Sequence, residues 1–574
     1  MRRFRAGFPV DAAGPVRRLA AGFCLACALV SGCATSPFAP AEAAYGIRPT
    51  ELPPGDGRVE LAQLAAQAAV ARTPQRRNRL LFRCVRIAQD MAGTGLPDPV
   101  DWHNRCSNDL LVEVFRARPR GWSPGRTSLA GTDVDVRIEG QSTMFRGAFE
   151  VTPAVDVPLA GGQGFGKPGF GLPVVLRTDR RCDDDARCAL YPTEGIYEWA
   201  TAWVEYQESG PVLRIINPAR AGSIVVGGSR VSPAFDAFAF YRLGAIASRL
   251  PRQGVYGLLG GAGARERAGV YLLQDYDPHR TPVVMIHGLG SNPIIWSDLS
   301  GAIWADGELR GAYQVVHVVF QTNAPLLVSR RRVQQYLDRM WELLDPEGDD
   351  PARAKMVLVG HSLGGVVARL LTVDSGETLW NAAFTIPPSQ MQGSEADVAG
   401  IRSTFLTGPY PGACAVVMLA APHKGSPRAD SFTGRLARAL VGRRAPEIQA
   451  LRRIASVHPD WVNPALLDSY RLARLNSITT LQTGHPVRKA GEQLLPVPGV
   501  RYHTIAGDLG GRGGDGVVPL GSALFPGAHS TLVLDAGHTL YREPAAIARV
   551  LAILREERRR PCDTPRVASP GSIR

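Results

Sequence analysis

From residue 269 onward the chain repeats a pattern that few architectures accommodate: a short unbroken apolar run, a polar or helical stretch, then another run. VYLLQDY (270–276), PVVMIHG (282–288), YQVVHVVF (313–320), KMVLVG (355–360), AVVMLAAP (415–422), RYHTIAG (501–507) and TLVLDAG (531–537) are each bounded by Gly, Pro or polar residues. A strand with one wet face alternates apolar and polar residues; these runs do not, so both of their faces are expected to be buried. Helical spacing lies between several of them. In SRRRVQQYLDRMWELL (329–344), Val333, Leu337, Met340, Trp341 and Leu344 share one face. Strands buried on both sides and joined by helices predict an α/β domain with a mostly parallel sheet over 266–555. The stretch 424–498 breaks the pattern, with helical segments such as GRLARALVG (434–442) and ALLDSYRLARL (465–475) and no apolar run. It is expected to be a helical cap inserted into the sheet domain.

At 574 residues the chain is too long for one core, and its first half reads differently. VELAQLAAQAAVA (59–71) and NRLLFRCVRIAQDMA (78–92) carry helical spacing, which predicts a helical segment over 58–120. Over 121–265 the runs are short, often alternating and divided by Gly and Pro: VDVRIEG, FRGAFEVTP, LPVVLRT, IYEWATAWVEY, VLRIINP and SIVVGG. That pattern predicts a β-rich accessory domain. GGQGFGKPGFG (161–171) lacks the strand-to-helix context of a phosphate loop and reads as a flexible connection. No repeat period is visible.

The first 32 residues are not expected to belong to the fold. A basic leader precedes LAAGFCLACALVSG (19–32), which is short for a bilayer span and ends in small residues before Cys33, as a signal peptide does. Leu29-Val30-Ser31-Gly32-Cys33 resembles a bacterial lipoprotein box. That resemblance implies cleavage before Cys33, lipidation of Cys33 (palmitate among the acyl groups), and a membrane anchor without a spanning helix. Ala34 follows where inner-membrane retention is associated with Asp, so the expected location is the outer membrane, facing the periplasm. Residues 33–57, rich in Ala and Pro, would form the tether, and 556–574 a disordered tail. The leader carries five arginines against Asp11, a net of +4, which leaves +9 of the chain's +13. The remaining positive charge is scattered, with no compact basic-aromatic motif, so no nucleic-acid partner is expected. Cys84 with Cys106, and Cys182 with Cys188, form two local pairs in a compartment that permits disulfides. RCDDDARC (181–188) reads as a disulfide-pinned turn rather than a cation site. Neither Cys414 nor Cys562 is expected to be catalytic.

Gly360-His361-Ser362-Leu363-Gly364 has the G-x-S-x-G spacing of a nucleophile elbow, with the strand MVLVG before it and the helical GVVARLLTV after it. An acyl-transfer serine needs donors for the developing oxyanion. The backbone N–H of Leu363 is one candidate; that of Leu289, in the His287-Gly288-Leu289-Gly290 loop after PVVMI, is the other. His287 is read as shaping that loop. Of eleven histidines, His538 follows the last strand and precedes the last helix, where a general base belongs. His529 precedes that strand and would start at the wrong end of the sheet; His503 lies within a strand. Asp508 and Asp515 share the loop GDLGGRGGDGVVP (507–519), and Asp515 is preferred for its tight Asp-Gly turn and the apolar residues that follow.

HGLGSNP, GHSLGG, APHKGS (421–426), DGVVP and GHTLYREP together resemble the α/β-hydrolase fold, and within it the bacterial lipase and esterase group. The resemblance covers roughly 269–555 and implies ester hydrolysis by a Ser362–His538–Asp515 triad through an acyl-enzyme, on an ester or lipid substrate. Some relatives bind calcium; no carboxylate cluster in this sequence argues for it, and no cofactor or metal is expected. Phe384, Ile386, Met391 and Phe405, with the cap, are candidate walls of an acyl pocket. Acyl transfer to an alcohol, an amide or polyester substrate, and a non-catalytic envelope scaffold stay open as alternatives, as does the oligomeric state.

Overall fold

The computed structural model describes residues 56–92, 99–157, 166–183, 185–248, 266–430 and 446–562. The leader, Cys33, the tether up to residue 55, the cap stretch GRLARALVG and the tail from 563 lie outside them. Three helices come first, Asp56–Ala69, Pro74–Ala92 and Pro99–Ala117, and a Cys84–Cys106 disulfide joins the second to the third.

The accessory domain follows with β1 (Gly125–Leu129), β2 (Thr132–Glu139), β3 (Phe149–Pro153), β4 (Gly166–Lys167), β5 (Leu172–Thr178), β6 (Ile196–Gln207), β7 (Gly210–Ile216), β8 (Ile224–Val226), β9 (Ser229–Val231) and β10 (Phe235–Asp236). Its main sheet runs β1-β2-β7-β6-β5-β3; β4 pairs with β10 and β8 with β9. Val174, Leu176, Ala202 and Val204 pack against the helices through Leu81, Phe82, Leu110 and Phe115. Their neighbours Val175, Tyr197 and Trp199 point the other way, into a core shared with the second domain. The period of two along a strand thus puts one face of this sheet on the helices and the other on the rest of the molecule. Cys182 is bonded to Cys188, and Asp185 between them accepts the backbone N–H of Arg187 and pairs its guanidinium, which makes RCDDDARC a closed turn.

The second domain contains β11 (Gly269–Leu272), β12 (Thr281–Ile286), β13 (Tyr313–Val319), β14 (Met356–His361), β15 (Ala413–Leu419), β16 (Arg501–Gly507) and β17 (Ser530–Leu534). They form one sheet in the order β11-β13-β12-β14-β15-β16-β17. The edge strand β11 is antiparallel to β13 and every other pairing is parallel, so the sheet is mostly parallel, as the apolar runs require. Val284, Ile286, Leu358 and Met418 belong to the core on one face, and Val283, Met285, Val357 and Val417 to that on the other. The helix Leu326–Leu344 and the cap cover the first face; the helices Ser297–Ala305 and Pro544–Arg558 cover the second. The chain reverses direction across the sheet between β12 and β14, and in open α/β sheets the crevice outside the carboxyl ends of such strands is where ligands bind.

One expectation needs correction. Helix Pro544–Arg558 runs past residue 556, and Cys562 is bonded to Cys414 at the start of β15, so the chain is fixed at least to that cysteine. Phe384 and Met391, which precede the cap in sequence, are buried, Phe384 against Trp380, Phe405 and Tyr470. Phe405 does line a small cavity between the cap and the helix Leu363–Leu370. No helix among the described residues is long and apolar enough to cross a membrane.

Candidate active site

Ser362 joins β14 to the helix Leu363–Leu370 at φ 53°, ψ −123°, a conformation that L-residues avoid at a cost of about 1–3 kcal/mol. The surroundings hold it there. Its N–H donates to Leu419 O at 2.9 Å, and its carbonyl accepts from the N–H groups of Gly365 and Val366. The flanking glycines are required by close approach. A Cβ on Gly360 would lie 2.4 Å from Gly364 O, and one on Gly364 would lie 2.1 Å from Ile286 O. No side chain fits at either distance. The turn therefore folds only with glycine at both positions, and it delivers the serine to the carboxyl end of the sheet.

His538 and Asp515 meet at the same end, beyond β17 and β16. The imidazole Nδ1 lies 2.7 Å from Asp515 Oδ2. A carboxylate only accepts, so Nδ1 carries the proton and Nε2 is left as the basic nitrogen. Asp515 Oδ1 accepts the N–H groups of Val517 and Val518 at 2.8 and 2.7 Å. Burial raises the Asp515 carboxyl's pKa, but the His538 imidazole and these two amides outweigh it and hold the pKa below the usual value. Asp508 serves the loop instead, where its Oδ1 accepts the N–H groups of Gly513 and Gly514 and closes the base. His529 lies at the other end of the sheet, its N–H bonded to Tyr502 O and its ring against Arg560. His503 is buried inside β16, bonded to Ser530 Oγ.

The loop after β12 faces Ser362. A Cβ on Gly288 would stand 3.0 Å from the Ser362 Cβ, and the N–H of Gly290 is pinned to Thr322 Oγ1 at 3.0 Å. Among the hydrogen bonds of the described residues, neither Leu289 N–H nor Leu363 N–H has an acceptor. His287 is buried, stacked on Phe320, with Nδ1 at Gly288 O; burial lowers its pKa to about 4 and keeps it neutral. It shapes the loop. The hydrogen bond between Ser362 Oγ and His538 is not among those of the described residues; in sites without substrate such bonds are often long.

One residue that positions the site was not legible in the sequence. His361 donates through Nε2 to the backbone carbonyl of His538 at 2.8 Å, with ring centroids 4.8 Å apart, and so fixes the segment carrying the base. Burial, then the neighbouring His538, lower its pKa to about 3. The motif contained this histidine, but nothing in its spacing identified a partner 177 residues away. Elsewhere, Asp345, Asp349 and Asp350 bring carboxylate oxygens within 4.8 Å of one another. Asp345 Oδ1 is taken by three backbone N–H groups of its own loop and Oδ2 by Arg353, so this cluster is accounted for as a loop closure.

A strained serine after a central strand, a His–Asp pair beyond two later strands and a glycine-rich loop between them define the arrangement of an α/β-hydrolase fold. Residues 283–550 match the model of the alpha/beta hydrolase family, and this part of the chain has the alpha/beta-hydrolase fold. No curated protein matches the chain. Among solved structures it is similar to the mature lipase BlEst2 of Bacillus licheniformis, at 16% identity over 49% of this chain and 94% of that one, with a TM-score of 0.28. It is also similar to lipase 1 of Pelosinus fermentans, at 14% identity over 49% and 100%, with a TM-score of 0.30. Esterase B of Lactobacillus rhamnosis matches at 13% identity over 50% and 78%, with a TM-score of 0.27.

Proposed function

We propose that this protein is a serine esterase that hydrolyses carboxylic esters through an acyl-enzyme. The observation that carries the reading is the 2.7 Å His538–Asp515 pair at the sheet end that also presents Ser362. In the first step His538 Nε2 takes the Ser362 proton as Oγ bonds to the ester carbonyl carbon, and the carbonyl electron pair moves onto oxygen. The N–H groups of Leu289 and Leu363 hold that oxyanion; one such donor is typically worth about 3–4 kcal/mol. As the carbonyl re-forms, the alcohol leaves with the proton from His538, while Asp515 stabilises the imidazolium. Water, deprotonated by His538, then attacks the acyl-enzyme and releases the acid and Ser362. A short activated ester tests this chemistry without depending on which acyl chain the natural substrate carries.

Ser362→Ala should lower turnover of p-nitrophenyl butyrate by at least about 10³-fold with thermal unfolding unchanged. Hydrolysis at the wild-type rate would overturn the assignment. The reading also puts the enzyme on the cell envelope, tethered through acylated Cys33; its support is the string LVSGC (29–33), outside the described residues. Labelled palmitate should enter the wild-type chain in a bacterial host and be absent from Cys33→Ser; equal labelling of both would remove the anchor.

A further inference from the structure

A cavity larger than the one beside the cap has none of Ser362, Asp515 or His538 in its walls. It opens in the seam between the accessory domain and the hydrolase domain, beside Asp277 and Arg310, which precede β12 and β13. Ser362 follows the parallel strand β14, so the two sites occupy opposite ends of the sheet. Its volume is about 510 Å³, within the roughly 300–1,000 Å³ of small-molecule sites.

Its walls combine two chemistries. Trp199, Phe240 and Trp304 contribute an aromatic side, with ring centroids 5.0–5.8 Å apart. The same lining includes polar groups only half satisfied by the protein. Glu198 accepts Ser142 N–H at Oε1, while its buried Oε2 has no partner. Gln274 accepts Trp304 Nε1–H at Oε1, and its buried Nε2 has none. Buried polar atoms without partners are few in folded proteins, and two lining one cavity point to a ligand that completes them. Burial raises the pKa of Glu198 to about 8, so its carboxyl is protonated near neutrality and both donates and accepts.

The arginines of the lining are neutralised within the walls: Arg187 by Asp185, Arg220 by Asp275 and Arg280 by Asp277. Arg310 is turned to the Trp304 carbonyl. Apart from the Arg310 guanidinium, the cavity therefore offers hydrogen-bonding dipoles beside aromatic rings. A pyranose ring has the complementary surface, with apolar C–H faces and an edge of hydroxyls that donate and accept. We propose that the interdomain cavity binds a neutral sugar ring, through Glu198, Gln274 and the Trp199–Phe240–Trp304 wall, either as a free sugar or as the terminal unit of a glycan.

The test uses the full chain carrying Ser362→Ala, titrated with glucose, N-acetylglucosamine and the N-acetylglucosamine tetramer, and read by calorimetry and tryptophan emission. At least one sugar should bind saturably and shift the emission, since two of the lining residues are tryptophans. A stronger tetramer than monomer assigns the site to a glycan end; equal affinity assigns it to a free sugar. Gln274→Glu turns the unpartnered N–H donor into an acceptor, and Glu198→Gln leaves a group that only donates where the protonated carboxyl also accepts; both keep the shape, and each should weaken binding about tenfold. Failure of all three sugars to bind would overturn the proposal. So would affinity unchanged in both variants, or an emission change produced by calcium chloride and by none of the sugars.

Discussion

Asp508 and Asp515 occupy one glycine-rich loop and differ in what their oxygens reach. Asp508 spends its Oδ1 on two glycine amides of the loop itself, whereas Asp515 has two amides on one oxygen and His538 on the other. An amide at 515 would present either an oxygen without negative charge or an N–H that forces the wrong imidazole tautomer. Asp515→Asn should therefore lower kcat for p-nitrophenyl butyrate by on the order of 10²–10⁴-fold. Asp508→Asn keeps an acceptor for both glycines and should stay near the wild-type rate. Stopped-assay rates on the two purified variants decide it, and the reverse ranking would move the carboxylate role to Asp508. The preference for Asp515 was available from its Asp-Gly turn. The Asp508 closure was not, because nothing in GDLGGRGGDG shows which oxygen a given glycine amide will reach.

Among elements, the sheet was the most legible part of the chain. Each apolar run after residue 269 became a strand; the central ones, such as Val283 to Ile286, are buried on both faces and leave no polar position to break the run, whereas at the sheet edge β17 leaves Thr531 and Val533 exposed. The same two-sided burial hides strand order: β13 lies beyond β12 and β14 on its other side, and composition does not distinguish those neighbours. The turn at Ser362 was legible for a steric reason, since glycine is the one residue that fits against Ile286 O and Gly364 O. Cys414 and Cys562 show the opposite case. They are 148 residues apart, and only the packing of the last helix against the sheet brings them together. The cap was recognisable as helical from its spacing, but the burial of Phe384, in the segment before it, depends on Trp380 and Tyr470, which local periodicity does not place.

At the scale of the whole molecule, the accessory sheet and the hydrolase sheet share one core: Trp199, Phe240 and Tyr241 pack into the cluster that contains Val283, Val357 and Leu554. That continuity buries titratable groups in both halves, and their protonation should set a common pH dependence of stability. His103 in the helical segment, and His287, His317, His361, His423 and His485 in the hydrolase domain, all have pKa values lowered chiefly by burial, to about 4 for His287 and His485 and about 3 for His317 and His361. Unfolded, each takes up a proton near 6.5. The unfolded state therefore binds more protons as pH falls below 6.5, and the stability fully present above that value is lost toward pH 4 to 3. Glu198 acts with the opposite sign: folded, it keeps its proton to about 8, while unfolded it ionises near 4.5, so its contribution declines as pH rises through that window. Six histidines outweigh one carboxyl below 6.5, and above it Glu198 acts against a flat background. The melting temperature of the full chain should thus peak at about pH 6.5–7, fall by several degrees toward pH 5 and fall more gently toward pH 8. Glu198→Gln should flatten the alkaline limb and leave the acid limb in place. Calorimetric melting of both proteins across this range separates the two contributions; an acid limb that stays flat to pH 4 would show that the buried histidines do not stay neutral in the folded state.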